Sequence, residues 1–135
     1  MNTTTRYTFG TLVPRPLAEA RQLVTDALKA EGFGVLTEID VQATLKAKLD
    51  VDRDPYVILG ACNPNLAHRA ISAEPSVGAL LPCNVVLWAE GDATRVEFMD
   101  PLAAMGLTGS EAVAAVATEA NEKLRRVHAA LGATA

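Results

Sequence analysis

Residues 80–99 read LLPCNVVLWAEGDATRVEFM, and this stretch decides the fold. It holds two runs rich in β-branched and aromatic residues, separated by Gly91 and Asp92, a dipeptide that accepts the positive φ angles of a tight hairpin turn. In the second run the letters RVEF alternate charged and apolar residues, as in a strand with one buried face. We therefore predict a β-hairpin made of strands Leu80–Glu90 and Thr94–Met99.

Amphipathic segments precede and follow this hairpin. In the last of them, apolar residues recur at the helical period, and opposite charges such as Glu119 and Lys123 lie four residues apart on the polar side. Asp40 has the chemistry of a helix N-cap before a shorter segment, whose Leu45 and Leu49 we expect to face the core. The helices predicted in this way are Pro16–Glu31, Val41–Leu49, Pro64–Ala73 and Ser110–Leu131.

Three earlier runs complete the predicted sheet, each bounded by proline, glycine or a polar turn. These strands are Thr4–Val13, Phe33–Ile39 and Tyr56–Ala61. The order βαβαβ(α)ββα indicates an α+β fold: a two-layer domain with a mixed or antiparallel sheet of about five strands and helices packed mainly on one face. Because we find no linker or repeat, we expect residues 1–135 to form a single domain with a core from about 6 to 131.

Composition and charge exclude several classes of protein. Half of the 135 residues are hydrophobic, which argues against a disordered chain. The net charge of −4 argues against a protein that grips nucleic acid through its phosphates. No apolar run reaches the roughly 18 residues of a membrane-spanning helix, and the first residues lack the pattern of a signal peptide. We therefore expect a cytoplasmic protein that binds neither nucleic acid nor membrane.

The face of the sheet that points away from the helices is expected to be apolar as well. Leu36, Val86, Trp88 and Met99 fall at positions that alternate with the helix-facing residues. A sheet with helices on one side and an apolar second side is often completed by another copy of itself. The sequence therefore favours a homodimer.

The candidate functional residues gather at two turns. The letters CNP at residues 62–64 and PCN at residues 82–84 place a cysteine at each of two junctions between a strand and a turn. Cys62 also precedes a predicted helix, whose backbone N–H groups would lower the pKa of its thiol, and His68 follows one turn later. The candidate ligand-binding residues are Cys62, Asn63, His68, Cys83 and Asn84.

Three functions remain open on these residues. The first is a dimeric protein that binds a small molecule near the Cys62–His68 segment. The second is a redox or thiol-transfer enzyme in which Cys62 is the nucleophile and Cys83 resolves the intermediate. The third is a structural or regulatory module that binds a partner through the apolar sheet face. Against any thiol chemistry stands the ordinary alternative that both cysteines are core residues.

The usual signatures of cofactor and metal sites are missing from the sequence. There is no phosphate-binding loop, no dinucleotide-binding glycine motif and no G-x-S-x-G nucleophile turn. Neither cysteine has a partner at the C-x-x-C spacing of structural zinc sites, and with His68 they would give three ligands at most. No motif indicates a cofactor, and we predict no metal.

Three strings carry a family resemblance: GFGVLTEIDVQATLKAKL at residues 32–49, YVILGACNPNLAHRA at 56–70 and GALLPCNVVLW at 78–88. In this order and spacing they resemble the bacterial and archaeal domain of unknown function 302 family, from about Arg6 to Leu131. The resemblance implies a small α+β domain, often a stand-alone cytoplasmic protein and a dimer. It implies no reaction and no cofactor, so no catalytic residue is assigned from it. The Cys62–His68 segment belongs to the family's recognisable pattern.

Overall fold

A six-stranded antiparallel sheet forms one layer of the molecule. The computed structural model describes residues 2–133. In chain order the strands are β1 (Asn2–Thr4), β2 (Thr8–Val13), β3 (Gly34–Asp40), β4 (Tyr56–Cys62), β5 (Cys83–Glu90) and β6 (Ala93–Met99). Across the sheet their order is β1-β2-β6-β5-β4-β3, so β5 and β6 lie at the centre.

The helices are α1 (Leu17–Ala30), α2 (Val41–Leu49), α3 (Pro64–Ala73), α4 (Pro101–Met105) and α5 (Glu111–Ala133), with 3₁₀ turns at Pro75–Leu80 and Gly106–Thr108. Helices α1, α3 and α4 all contact α5 and form the second layer with it on one side of the sheet. The predicted α+β class is therefore confirmed, with six strands in place of about five. In the described residues, no helix is both long enough and apolar enough to cross a bilayer.

The central hairpin forms as predicted, except that its first strand begins at Cys83 and not at Leu80, which ends a 3₁₀ turn. Gly91 takes a φ of 62°, the left-handed conformation that the turn between β5 and β6 requires. In β6 the buried residues Val96 and Phe98 face the helices, and Leu87 of β5 pairs with Val96. These side chains join a single core with the inner faces of the long helices, to which α5 contributes Val113, Val116, Ala117, Ala120, Leu124, Val127 and Leu131.

The predicted first strand, Thr4–Val13, is wrong in its extent. The Thr5 hydroxyl accepts hydrogen bonds from the backbone N–H groups of Tyr7 and Thr8, and the Thr5 N–H donates to the Thr8 carbonyl. This side-chain-stabilised turn breaks the run and folds β1 back on β2 as a hairpin. Tyr7 lies in the turn with 67% of its surface exposed, so it does not share the buried face of Phe9.

The helices differ from the prediction in two places. Helix α4 was not predicted, and Asp100 caps it by accepting hydrogen bonds from the N–H groups of Leu102 and Ala103. In α2 the expected inward side chain of Leu49 is 66% exposed, and Leu45 is only half-buried. Helix α2 packs against β3 and β4 at the edge of the sheet, and none of its residues belongs to the hydrophobic core. Asp40 caps this helix as predicted.

The opposite side of the sheet, which we call the open face, carries no helix of the main layer. The positions of Val86, Trp88 and Met99 alternate with buried residues, as predicted, and these side chains are half-buried. Tyr56 and Trp88 stack there with their ring centroids 5.7 Å apart. Leu36 departs from the prediction, because a β-bulge between Val35 and Thr37 takes it out of register with β4.

Strand β2 is held closely between its neighbours at Gly10. The carbonyl oxygen of Gly10 lies 2.9 Å from Nε2 of His128 on α5. His128 is half-buried, and its ring packs edge-on against Phe9 and Phe98. A Cβ atom added at Gly10 would overlap the backbone oxygen of Val96 on the adjacent strand. This position therefore requires the absence of a side chain.

We expect Gly10→Ala to lower the free energy of unfolding by about 2 kcal/mol, measured by urea denaturation. The overlap involves backbone that cannot rotate away, so its cost exceeds the roughly 0.4–1 kcal/mol that alanine gains by restricting the unfolded chain. Gly34→Ala is the matched control, because a Cβ at this β3 position meets no atom within 4 Å. Equal unfolding free energies for the two variants would contradict the close approach of β2 and β6.

Candidate functional site

A cavity of about 320 Å³ opens at one end of the sheet, where β4 ends and β5 begins. Helices α3 and α5 form its sides, and α4 and the β3 bulge complete it. We call it the α3–α5 cavity. Its buried wall consists almost entirely of apolar side chains: Phe33, Ala61, Leu66, Ala70, Met105, Val116, Ala117 and Ala120.

Small residues on facing elements create this space. Ala61 on β4, Ala70 on α3, and Ala117 and Ala120 on α5 are all at most 5% exposed, yet their side chains are too short to meet across the gap. Elsewhere α5 presents larger residues such as Leu124 to the sheet and the layers pack without such a void. The cavity is therefore due to the small side chains at these positions, since the helices and strands around it have regular backbones.

Local sequence explains how the site's rim is fixed. Asn63 caps α3 by accepting a hydrogen bond from the N–H of Leu66, and its amide nitrogen donates to the Glu31 carbonyl. Pro64 occupies the first turn, where a missing N–H costs nothing. Gly32 follows the end of α1 beside Asn63 and has a φ of 82°, the left-handed conformation that glycine often takes after a helix. These contacts hold the start of α3 against the end of α1.

Both cysteines line the cavity as free thiols. Cys83 pairs in register with Ala61, so it lies beside Cys62 on the neighbouring strand. Cys83 is 7% exposed, and this burial raises the pKa of its thiol from the ordinary value near 9 to about 11, with a smaller contribution from the charge Cys62 would carry. Cys62 is half-buried and faces the outer part of the site.

The structure brings together three of the five predicted site residues. Cys62, Asn63 and Cys83 line the α3–α5 cavity, whereas His68 is exposed on α3 and outside the cavity wall. Asn84 is also exposed and is not among the residues that line the cavity. The α5 and α4 walls were missed, because nothing in their sequence distinguishes an alanine that lines a cavity from one that packs in a core.

The wall of the cavity contains few polar side chains. No Asp, Glu, Lys, Arg or His is among the residues that line the cavity, and the polar side chains there are Thr37, Asn63 and the two thiols. Across residues 2–133, no group of three or more His, Cys, Asp or Glu side chains is placed to hold a metal ion. The cavity is therefore apolar, with a few polar side chains and two thiols in its wall.

Comparisons with known proteins agree with this fold. The family model described as "Domain of unknown function DUF302" matches residues 9–131. The crystal structure of an uncharacterized conserved DUF302 protein from Bacillus stearothermophilus superposes with a TM-score of 0.85 at 28% sequence identity, covering 93% of this chain and 98% of that one. No curated protein matches the chain. With a family model spanning nearly its whole length and a solved relative of the same architecture, the chain belongs to the DUF302 family.

Proposed function

We propose that this protein binds a small apolar molecule in the α3–α5 cavity. The observation that carries this proposal is the cavity itself: about 320 Å³, open to solvent and lined by apolar side chains with no charged residue. Small-molecule pockets have volumes from roughly 300 to 1,000 Å³, and their walls are mostly apolar with a few polar groups. The cavity includes Cys62, near which the sequence predicts the site. That the protein is cytoplasmic stays a prediction.

Packing physics supports a ligand in this space. Protein interiors are packed as densely as organic crystals, and voids larger than a water molecule are few. A cavity of this size between α3 and α5 leaves buried side chains such as Leu66, Met105 and Val116 without contacts on one side. Because dispersion contacts and apolar burial are both favourable, an apolar guest would gain from filling it.

A direct test uses 1-naphthylamine, an uncharged fluorescent probe small enough for a cavity of about 320 Å³. We expect the wild-type protein to bind it, and Ala117→Leu to weaken binding at least tenfold, because the larger side chain occupies the cavity. The matched control is Ala115→Leu, the same change on the exposed side of α5. Equal probe binding by both variants, or none by the wild-type protein, would contradict the proposal. Circular dichroism checks that both variants fold.

The thiol alternative is weakened by the burial of Cys83. A resolving thiol attacks as the thiolate, and a pKa of about 11 leaves only about one Cys83 thiol in ten thousand ionised at pH 7. The same burial also limits access by a second substrate. Cys83 is therefore better suited to the floor of a binding site than to the role of a resolving nucleophile.

The raised pKa of Cys83 predicts a loss of stability at high pH. Below about pH 9 the thiol is protonated in both states, whereas between about 9 and 11 only the unfolded chain releases its proton. Deprotonation then stabilises the unfolded state relative to the folded state, and the free energy of unfolding falls by about 2–3 kcal/mol over this range. Cys83→Ala removes this titration, so urea unfolding between pH 8 and 11 should show a correspondingly smaller decline. Parallel pH profiles for the two proteins would show that Cys83 ionises normally.

We also propose that a second copy of the chain covers the open face. Its support is the apolar character of that face, where Ile39 is 48% exposed and Ile58, Val86 and Trp88 are half-buried. Apolar patches of this kind mark interaction surfaces, and two-fold pairing of identical faces is the commonest way to cover one. The alternative of a regulatory partner would use the same face.

Native mass spectrometry tests the dimer through Val86→Lys. Val86 lies at the centre of the open face opposite Glu97, so a lysine there finds an opposite charge within the monomer but disrupts an apolar interface. We expect the wild-type protein at twice the chain mass and Val86→Lys at the mass of one chain. Thr118→Lys, an exposed change on α5, should leave the dimer intact. A monomeric wild-type protein would refute the proposal.

A further inference from the structure

The α3–α5 cavity has two chemically different ends. Its inner end is closed by buried apolar side chains, among them Phe33 and Met105. At its outer end the rim includes Leu36, which is 68% exposed, and Ile71, which is 43% exposed, next to the polar side chain of Thr37. A molecule that enters therefore passes a rim with both apolar and polar side chains before it reaches the apolar interior.

The rim offers hydrogen-bonding groups that the protein itself does not use. The β3 bulge leaves Leu36 without a partner residue on β4, whereas Val35 and Thr37 pair with Ala61 and Gly60. Within residues 2–133, the Thr37 hydroxyl has no side-chain or backbone partner, since none of the described hydrogen bonds involves it. It lies directly over Gly60, in space that any side chain on that residue would occupy.

Charge is absent from both ends. The cavity wall contains no ionisable side chain other than the two thiols. Arg69, the cation on α3, is paired with Glu119 of α5 and is not part of the wall. A carboxylate or ammonium group drawn into the cavity would lose hydration without gaining an opposite charge, which is costly, and at the rim it would find no opposite charge among the lining residues.

The size of the space limits the apolar part of the ligand. A cavity of roughly 150 Å³ in a protein interior holds a benzene molecule of six carbon atoms. By that scale the α3–α5 cavity, at about 320 Å³, accommodates on the order of twelve non-hydrogen atoms.

We infer that the ligand is an uncharged amphiphile, whose apolar body of about ten carbon atoms fills the cavity and whose polar end meets the Thr37 hydroxyl at the rim. This inference rests on the proposed function and specifies the ligand class. The apolar body gains contacts with the buried wall, and the hydroxyl supplies the one directional contact. Alcohols and similar neutral head groups pair with the Thr37 hydroxyl and need no counter-charge, whereas the wall offers a charged head group no opposite charge.

The experiment displaces 1-naphthylamine with three ligands of the same chain length: 1-decanol, decanoate and decylammonium, at pH 8. We expect 1-decanol to displace the probe at concentrations at least tenfold lower than either ion. Thr37→Val should weaken 1-decanol about three- to tenfold, the value of one hydrogen bond, while Thr37→Ser keeps the wild-type affinity. Probe affinity should be unchanged in both variants, which also shows that they fold.

The possible failures are distinguishable. If the probe binds and Ala117→Leu blocks it, but an ion competes as well as 1-decanol or Thr37→Val has no effect, the uncharged amphiphile is wrong and the binding function stands. If neither the probe nor 1-decanol binds the wild-type protein, the proposed function itself fails, and with it this inference.

Discussion

The burial of one face of the β5–β6 hairpin beneath α5 is the interaction on which the rest of the structure depends. Phe98 stacks on Phe9 with ring centroids 5.5 Å apart, and His128 of α5 closes over both rings. This contact fixes the long helix across the sheet at one end. Aromatic pairs and their buried area give such a contact a large share of a small domain's stability. The position of α5 at the other end of the sheet, beside the α3–α5 cavity, follows from it.

Helix α5 packs tightly in one half and leaves a cavity in the other. Near its C-terminal half, Leu124 and Leu131 fill the space above the sheet and stabilise the fold. Near its N-terminal half, Ala117 and Ala120 leave space facing α3. Because a buried leucine stabilises a protein by roughly 1.5–3 kcal/mol, the empty part of the interface gives up stability that the packed part must supply. A cavity in a domain of this size is compatible with folding when the two parts are separated in this way.

Much of the architecture was predictable from sequence, and the exceptions have physical reasons. The hairpin and α5 follow from strong periodicity, and the cap at Asp40 follows from side-chain chemistry. The turn at Thr5 was missed because a single hydroxyl interrupts an otherwise continuous strand pattern. Cavities are harder still, since they depend on which alanines face each other across elements that are distant in sequence. Cys62 and Cys83 were found through their turns, whereas the opposite wall left no local signal.

The bulge at Leu36 has a consequence for how the molecule behaves among its neighbours. Strand β3 is an outer strand of the sheet, and seven residues of such a strand form a template for pairing with another chain. An extra residue in the middle interrupts the ladder, and the carboxylates of Glu38 and Asp40 flank its second half. Bulges and charges are the devices by which proteins prevent edge-to-edge aggregation. The feature that shapes the mouth of the cavity thus also protects the protein from polymerising through its sheet.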